Sequence, residues 1–225
     1  MMSAMRRWLT EAGLHIEDGM VEQLARHAAE IQRYNRRLNL VADDRTEVLI
    51  RRHIIDSALG LRAVRILAPP GRPRVVDVGS GGGFPGVVAA VLSPDWEVVL
   101  VDSSSRKVGF LLRVIEVLGV DNLRVIRARA EDIAGGRGAA PLPFDMCLSR
   151  AVAPISCLAA LCGPLLRDGG LAAWWKGPGI GAEMEEGAPA VEKYNLKPVS
   201  RYLYRLPRED ISRAIFLAQR VRARR

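Results

Sequence analysis

The sequence predicts an α/β fold: a mostly parallel sheet of seven strands that ends in an antiparallel hairpin, preceded by a helical extension. Three observations predict it. Apolar residues recur at helical spacing up to about residue 68. From Arg74 onward, short apolar runs alternate with helical ones, the pattern of a parallel sheet covered on both faces. The last two apolar runs are joined only by a polar turn, which leaves no room for a crossover helix. The expected division is 1–72 for the extension and 73–225 for the sheet domain.

In the extension, Met20, Leu24, Ala28, Ile31, Tyr34 and Leu38 line one helix face, with Asp18 placed to cap its start. A further helix over Thr46 to Leu67 carries the stripe Ile50, Ile54, Ala58 and Leu61, with Arg51, Arg52 and Asp56 elsewhere on its surface. Pro69-Pro70-Gly71-Arg72-Pro73 breaks the pattern. Strands are then expected at Val75 to Val78, Glu97 to Val101, Leu123 to Ile126, Phe144 to Leu148 and Leu171 to Trp175. Helices are expected after Pro85, from Ser105 to a stop at Gly119, and over Ile155 to Leu166. Pro198 to Leu206 and Ala214 to Val221 form the hairpin around Pro207-Arg208-Glu209-Asp210.

With 49% hydrophobic residues, the 225-residue chain can bury a substantial core. Its net charge of +8 favours a polyanionic partner, nucleic acid first and an anionic membrane second. Three cysteines, Cys147, Cys157 and Cys162, form no metal-binding spacing and no disulfide framework. They are expected as buried thiols in a reducing compartment. No apolar stretch follows Arg6-Arg7 and no run is long enough to span a bilayer, so a cytoplasmic protein is expected, without a metal or a membrane partner.

The segment Asp77-Val78-Gly79-Ser80-Gly81-Gly82-Gly83-Phe84-Pro85-Gly86 lies between an apolar strand and a helix. Glycines there let the backbone approach a ligand closely, and the helix N-terminus offers free N–H groups. The spacing also satisfies the dinucleotide motif G-x-G-x-x-G, and Asp102, ending the second strand, suits ribose hydroxyls in either setting. A nicotinamide-dependent oxidoreductase therefore stays open. Three features favour a class I, Rossmann-like methyltransferase that uses S-adenosylmethionine: Asp77 ahead of the first glycine, Ala130-Glu131-Asp132 after the third strand, and the antiparallel tail.

Beyond the loop, Asn39-Leu40, Arg52-His53-Ile54-Ile55-Asp56-Ser57 and Val101-Asp102-Ser103 with Lys107 stand out. So do Ala128-Arg129-Ala130-Glu131, Ser149-Arg150-Ala151 and Lys176-Gly177. In these stretches and their order the chain resembles the RsmG (GidB) family, which methylates N7 of guanine 527 in the 16S ribosomal RNA of the small subunit. The resemblance implies cofactor contacts at Gly79, Phe84, Ala130, Glu131 and Arg150, with Asp102 as the ribose ligand. It also implies the small ribosomal subunit or its RNA as partner, and a monomer. Val41-Ala42-Asp43-Asp44 and the arginine-rich tail Arg220 to Arg225 depart from the family pattern.

Methyl transfer from a sulfonium is an in-line displacement that depends on alignment. N7 of guanine carries a lone pair and no proton, so no general base is needed. The sequence accordingly lacks the Asn/Asp-Pro-Pro-Tyr/Phe motif of enzymes that methylate exocyclic amines. No residue is assigned to catalysis outright. Arg150, just past a strand's carboxyl end, is the candidate for positioning cofactor or guanine; the competing reading is a surface arginine paired with an acid. His53 and Asp56 share a helix face and either shape the substrate side or dock the extension as a buried polar pair, docking being favoured. Trp174 and Trp175 point to opposite sheet faces and Cys147 into the core. Arg51, Arg52, His53, Arg106, Lys107 and Arg129 are candidate RNA contacts, part of a wider basic set with Arg33, Arg36, Arg37 and Arg127. Another RNA or a small molecule remains the alternative methyl acceptor.

Overall fold

The computed structural model describes residues 1–136 and 143–222; residues 223–225 of the arginine-rich tail lie outside the described residues. Helices α1 (Met2–Glu11) and α2 (Asp18–Leu38) come first. Next comes a continuous helical rod: α3 (Thr46–Val48), a π-helical segment (Leu49–Ile55) and α4 (Asp56–Leu67). Then follow β1 (Arg74–Val78), α5 (Gly86–Leu92), β2 (Glu97–Asp102), α6 (Ser105–Leu118), β3 (Leu123–Arg127) and α7 (Ala130–Ala134). The chain continues through β4 (Phe144–Arg150), α8 (Ile155–Cys162), a 3-10 turn (Gly163–Leu165) and β5 (Leu166–Lys176). It ends in α9 (Ile180–Lys193), β6 (Leu196–Arg205) and β7 (Ser212–Arg220).

The strands form one sheet in the order β3-β2-β1-β4-β5-β7-β6. β1 to β5 run parallel, and β7 runs antiparallel to both β5 and β6. Side-chain alternation sorts the core into two layers. Val75, Val98, Leu100, Met146, Leu148, Trp175 and Leu217 face α1, α2, α4, α5 and α6. Val76, Val99, Val101, Cys147, Trp174 and Phe216 face α7, α8 and α9. One apolar core thus crosses the expected boundary at residue 72, because the extension's helices cover a sheet face that is itself apolar.

Several elements differ from expectation. Asp18 sits in the first turn of α2 after the N-cap Glu17 and makes no cap bond; it pairs instead with Arg6 of α1. The rod from Thr46 to Leu67 has the expected ends, but its central seven residues are π-helical, and Asp56 is buried rather than on its surface. The helix after β4 stops at Cys162, and β5 starts five residues early at Leu166. Helix α9 has no counterpart among the expected elements; Pro189 and the glycines around it disfavour a helix locally. Gly187 is required there: a Cβ would lie 2.5 Å from Ile155 Cγ2 of α8, so close helix packing overrides propensity. Cys157 is exposed, while Cys147 and Cys162 are buried as expected.

Candidate active site

Strand order reverses between β1 and β4, and the carboxyl ends of these strands carry Gly79 and Arg150. Two cavities open there and share Ala151 and Val152 as a common wall. Ala151 holds φ +56°, a left-handed conformation that a non-glycine residue adopts at a cost.

The smaller cavity, about 390 Å³, is built on the glycine loop and the ends of β2 and β3. Gly79 lies in its wall with φ +72°, and a Cβ there would meet Val152 Cγ2 at 2.6 Å. Asp102 ties the surrounding loops together: Oδ2 accepts from the Gly81 N–H at 2.9 Å and Oδ1 from the Ser104 N–H at 2.8 Å. Ser104, not Asp102, caps α6. Lys107, Ala128, Arg129, Ala130, Glu131 and Leu161 also line it. Below the loop, the fully buried Asp77 accepts from the Gly86 N–H at 3.0 Å, while its Oδ1 has no hydrogen-bond partner among the described residues. Burial raises its carboxyl to about 7, only partly offset by the Gly86 hydrogen bond.

The extension supports this loop from behind. His27 of α2, fully buried, bonds through Nε2 to the Gly82 carbonyl at 2.8 Å. A carbonyl only accepts, so Nε2 carries the proton. Burial lowers the His27 pKa to about 4. Phe84 is clasped between His27 and His53, with ring centroids at 4.7 and 5.0 Å, and lines neither cavity.

The larger cavity, about 730 Å³, includes Arg52, His53, Asp56, Arg150, Trp175, Lys176, Tyr204 and Arg213 in its lining. Arg150 organises it. Its Nη1 donates to the Arg52 carbonyl and to Asp56 Oδ2, both at 2.8 Å, and its Nη2 to His53 Nδ1 at 2.5 Å. Three of its five donors are thus committed inside the protein. Burial, then the charge of Arg150, depresses His53 to about 3, so it is a neutral ring. Asp56 also accepts from the Tyr204 hydroxyl at 2.7 Å, and the Trp175 indole donates to its backbone carbonyl at 3.1 Å. Burial, reinforced by Asp56, raises the Tyr204 phenol pKa. Across the mouth, Lys176 bonds to Glu183 at 2.5 Å and to the Ala153 carbonyl at 2.7 Å, fixing the segment after β4.

The structure therefore gathers Gly79, Asp102, Lys107, Arg129, Ala130 and Glu131 at one cavity and Arg52, His53 and Arg150 at the other. Arg51 turns inward, pairing with Glu209 at 3.0 Å and lying over the Trp8 ring. Arg52 pairs with the same Glu209 at 2.8 Å. Arg106 is exposed on α6 and lines neither cavity. His53 and Asp56 both line the larger cavity and both bond to Arg150. Trp174 and Trp175 lie in opposite core layers. Sequence reasoning missed Tyr204 and Arg213, whose only signal is a fold that returns the last hairpin to the extension. Among the described residues, no cluster could hold a metal ion, and no helix is long and apolar enough to cross a membrane.

Comparison with known proteins bears on the fold and the family. A methyltransferase from Pyrococcus furiosus matches with a TM-score of 0.58 at 14% identity, covering 88% of this chain and 97% of that one. A geranyl diphosphate methyltransferase solved in complex with SAM matches at 0.53 and 17% identity, covering 73% and 85%. These show the class I methyltransferase fold alone. Among relatives, ribosomal RNA small subunit methyltransferase G of Carboxydothermus hydrogenoformans is 32% identical over 92% of this chain and 86% of its own. That of Bordetella avium is 37% identical over 75% and 73%. The family model described as rRNA small subunit methyltransferase G, GidB, matches residues 20–205. This chain belongs to the GidB family of small-subunit rRNA methyltransferases.

Proposed function

We propose that the protein transfers a methyl group from S-adenosylmethionine to N7 of guanine 527 in 16S ribosomal RNA. The observation that carries this reading is the pair of cavities sharing the Ala151–Val152 wall, one suited to a nucleoside-bearing cofactor and the other to a flat acceptor.

The smaller cavity fits the cofactor by its chemistry. Each Asp102 oxygen accepts one backbone hydrogen bond and keeps a lone pair for a ribose hydroxyl. Ala128, Ala130 and Leu161 offer an apolar wall for adenine, beside Glu131. Gly79 lacks the Cβ that would collide with Val152, and Asp77 Oδ1, without a hydrogen-bond partner among the described residues, lies beneath the loop. When bound, the cofactor supplies an electrophilic methyl group on a sulfonium.

The chain's own residues then have positioning work. Arg150 holds the end of β4 against the π-helical segment through the Arg52 carbonyl and His53, and against the start of α4 through Asp56, which fixes the wall between methyl donor and acceptor. Alignment of this kind contributes up to about 7–11 kcal/mol of barrier lowering. No proton has to leave N7. That agrees with a larger cavity whose Asp56 is spent on Arg150 and Tyr204 and whose His53 accepts from Arg150. Lys107 and Arg129 add positive charge for the RNA backbone.

The test is to incubate unmethylated small subunits with methyl-labelled cofactor, then locate N7-methylguanine by reduction and strand cleavage. Label at guanine 527 is expected. Label at another nucleotide, or none, overturns the assignment. Calorimetry should show binding of S-adenosylmethionine and none of NAD(H).

A further inference from the structure

Beside the active site, a groove of about 430 Å³ runs between α4 and β6, lined by Arg62, Ala63, Arg65, Ile66 and Tyr202. Tyr202 and Tyr204 lie two apart on β6 and so share a sheet face. Their rings stack with centroids 6.0 Å apart and planes inclined by 21°. Tyr204 lines the larger cavity and Tyr202 the groove, so the two stacked rings stand between the acceptor site and the groove.

The chemistry of the groove is one-sided. No carboxylate lines it. Arg65 pairs with Asp95 at 3.3 Å, both half exposed, while Arg62 pairs with no acid among the described residues. Ile66, 81% exposed, adds an apolar side chain to the groove wall. On the same face of β6, Lys197, paired in register with Gln219 as Tyr202 is with Ile215, is exposed and also without an acid partner among the described residues; Arg201 and Arg205 point to the opposite sheet face. Aromatic faces beside unpaired guanidinium groups are what single-stranded RNA binds: a base stacks while a phosphate takes the charge. A protein strand adding to β6 is disfavoured, because Pro198 lacks an N–H and the register breaks between Pro198 and Ser200.

We propose that this groove holds an unpaired RNA nucleotide flanking the target guanine, its base against Tyr202 and its phosphate against Arg62. The inference rests on the reading that small-subunit RNA is the substrate. It assigns the α4–β6 groove as the path by which the strand leaves the acceptor cavity.

The test uses the full chain and unmethylated small subunits. Tyr202→Ala should weaken binding roughly tenfold, the loss expected for one stacked base, and raise KM with little change in kcat. Tyr202→Phe should bind like the wild type. Arg62→Gln should lower the salt dependence of binding by about one phosphate contact. All three should keep the wild-type melting temperature and calorimetric affinity for S-adenosylmethionine. With Tyr202→benzoylphenylalanine, photocrosslinking should yield an rRNA adduct. Unchanged binding by Tyr202→Ala, or an adduct to a ribosomal protein instead, overturns the proposal. Wild-type protein that fails to methylate small subunits overturns the functional reading itself, and this proposal with it; that result is visible before any variant is made.

Discussion

Arg150 Nη1 lies 2.8 Å from Asp56 Oδ2, a contact across 94 residues that joins the end of β4 to the start of α4. Both side chains are largely buried, with 13% and 3% of their surfaces exposed. Removing one member of such a pair leaves the other charged and unpaired, at a cost of about 3–5 kcal/mol. Asp56→Ala should therefore lower the unfolding free energy by about that amount in urea titrations. Arg150→Met on top of Asp56→Ala should recover part of it. A loss below about 1 kcal/mol for the single variant would mean the pair is solvated in solution.

Asp102 is expected to matter twice, for the glycine loop and for the cofactor. Asp102→Ala removes the acceptor for the Gly81 and Ser104 N–H groups as well as the proposed ribose contact. Hydrogen bonds to a charged group contribute about 1.5–3 kcal/mol each. Calorimetric affinity for S-adenosylmethionine should fall at least about tenfold. Unaltered affinity would remove Asp102 from the cofactor site.

Gly79 should not tolerate a side chain. At φ +72° an alanine pays about 1–2 kcal/mol for the left-handed backbone, and its Cβ would sit 2.6 Å from Val152 Cγ2. Gly79→Ala should lower the melting temperature and weaken cofactor binding together, because the displaced Val152 belongs to the wall of both cavities. A variant that melts and binds like the wild type would contradict this.

Two buried groups give stability opposite pH dependences. His27 titrates near 4 in the fold against 6.5 ordinarily, so the unfolded chain alone binds its proton between these values. Stability falls as pH drops through that window, by up to about 1.4 kcal/mol per pH unit. Asp77 titrates near 7 against 3.8, so the folded chain alone binds its proton there, and stability falls as pH rises from about 4 to 7. His27→Gln should therefore flatten the acid-side loss between pH 5 and 6.5, and Asp77→Asn should steepen it. Unfolding free energies measured across that range check both signs; parallel curves for wild type and variants would sink the argument.

Much of the fold was legible because it is written in local patterns. The five parallel strands, helix α6 with its stop at Gly119 and the final hairpin follow from apolar periodicity and turn residues. The glycine loop and Asp102 follow from short spacing. Helix α9 was hidden because Pro189 and Gly187 argue locally for a loop, and only packing against Ile155 explains them.

Local patterns in the sequence by themselves specify the individual strands, the glycine loop and the strand-end residues Gly79, Asp102, Ala130 and Glu131 that border the smaller cavity, whereas Phe84 and Arg150, expected beside them, do not line it. Tertiary structure decided the larger cavity. Its π-helical turn, and the meeting of Arg150 with His53, Asp56 and, through Asp56, Tyr204, depend on contacts across 94 to 148 residues. No periodicity encodes such contacts. They exist because an apolar core draws the extension and the last hairpin onto one sheet face, leaving their polar groups no partners but each other.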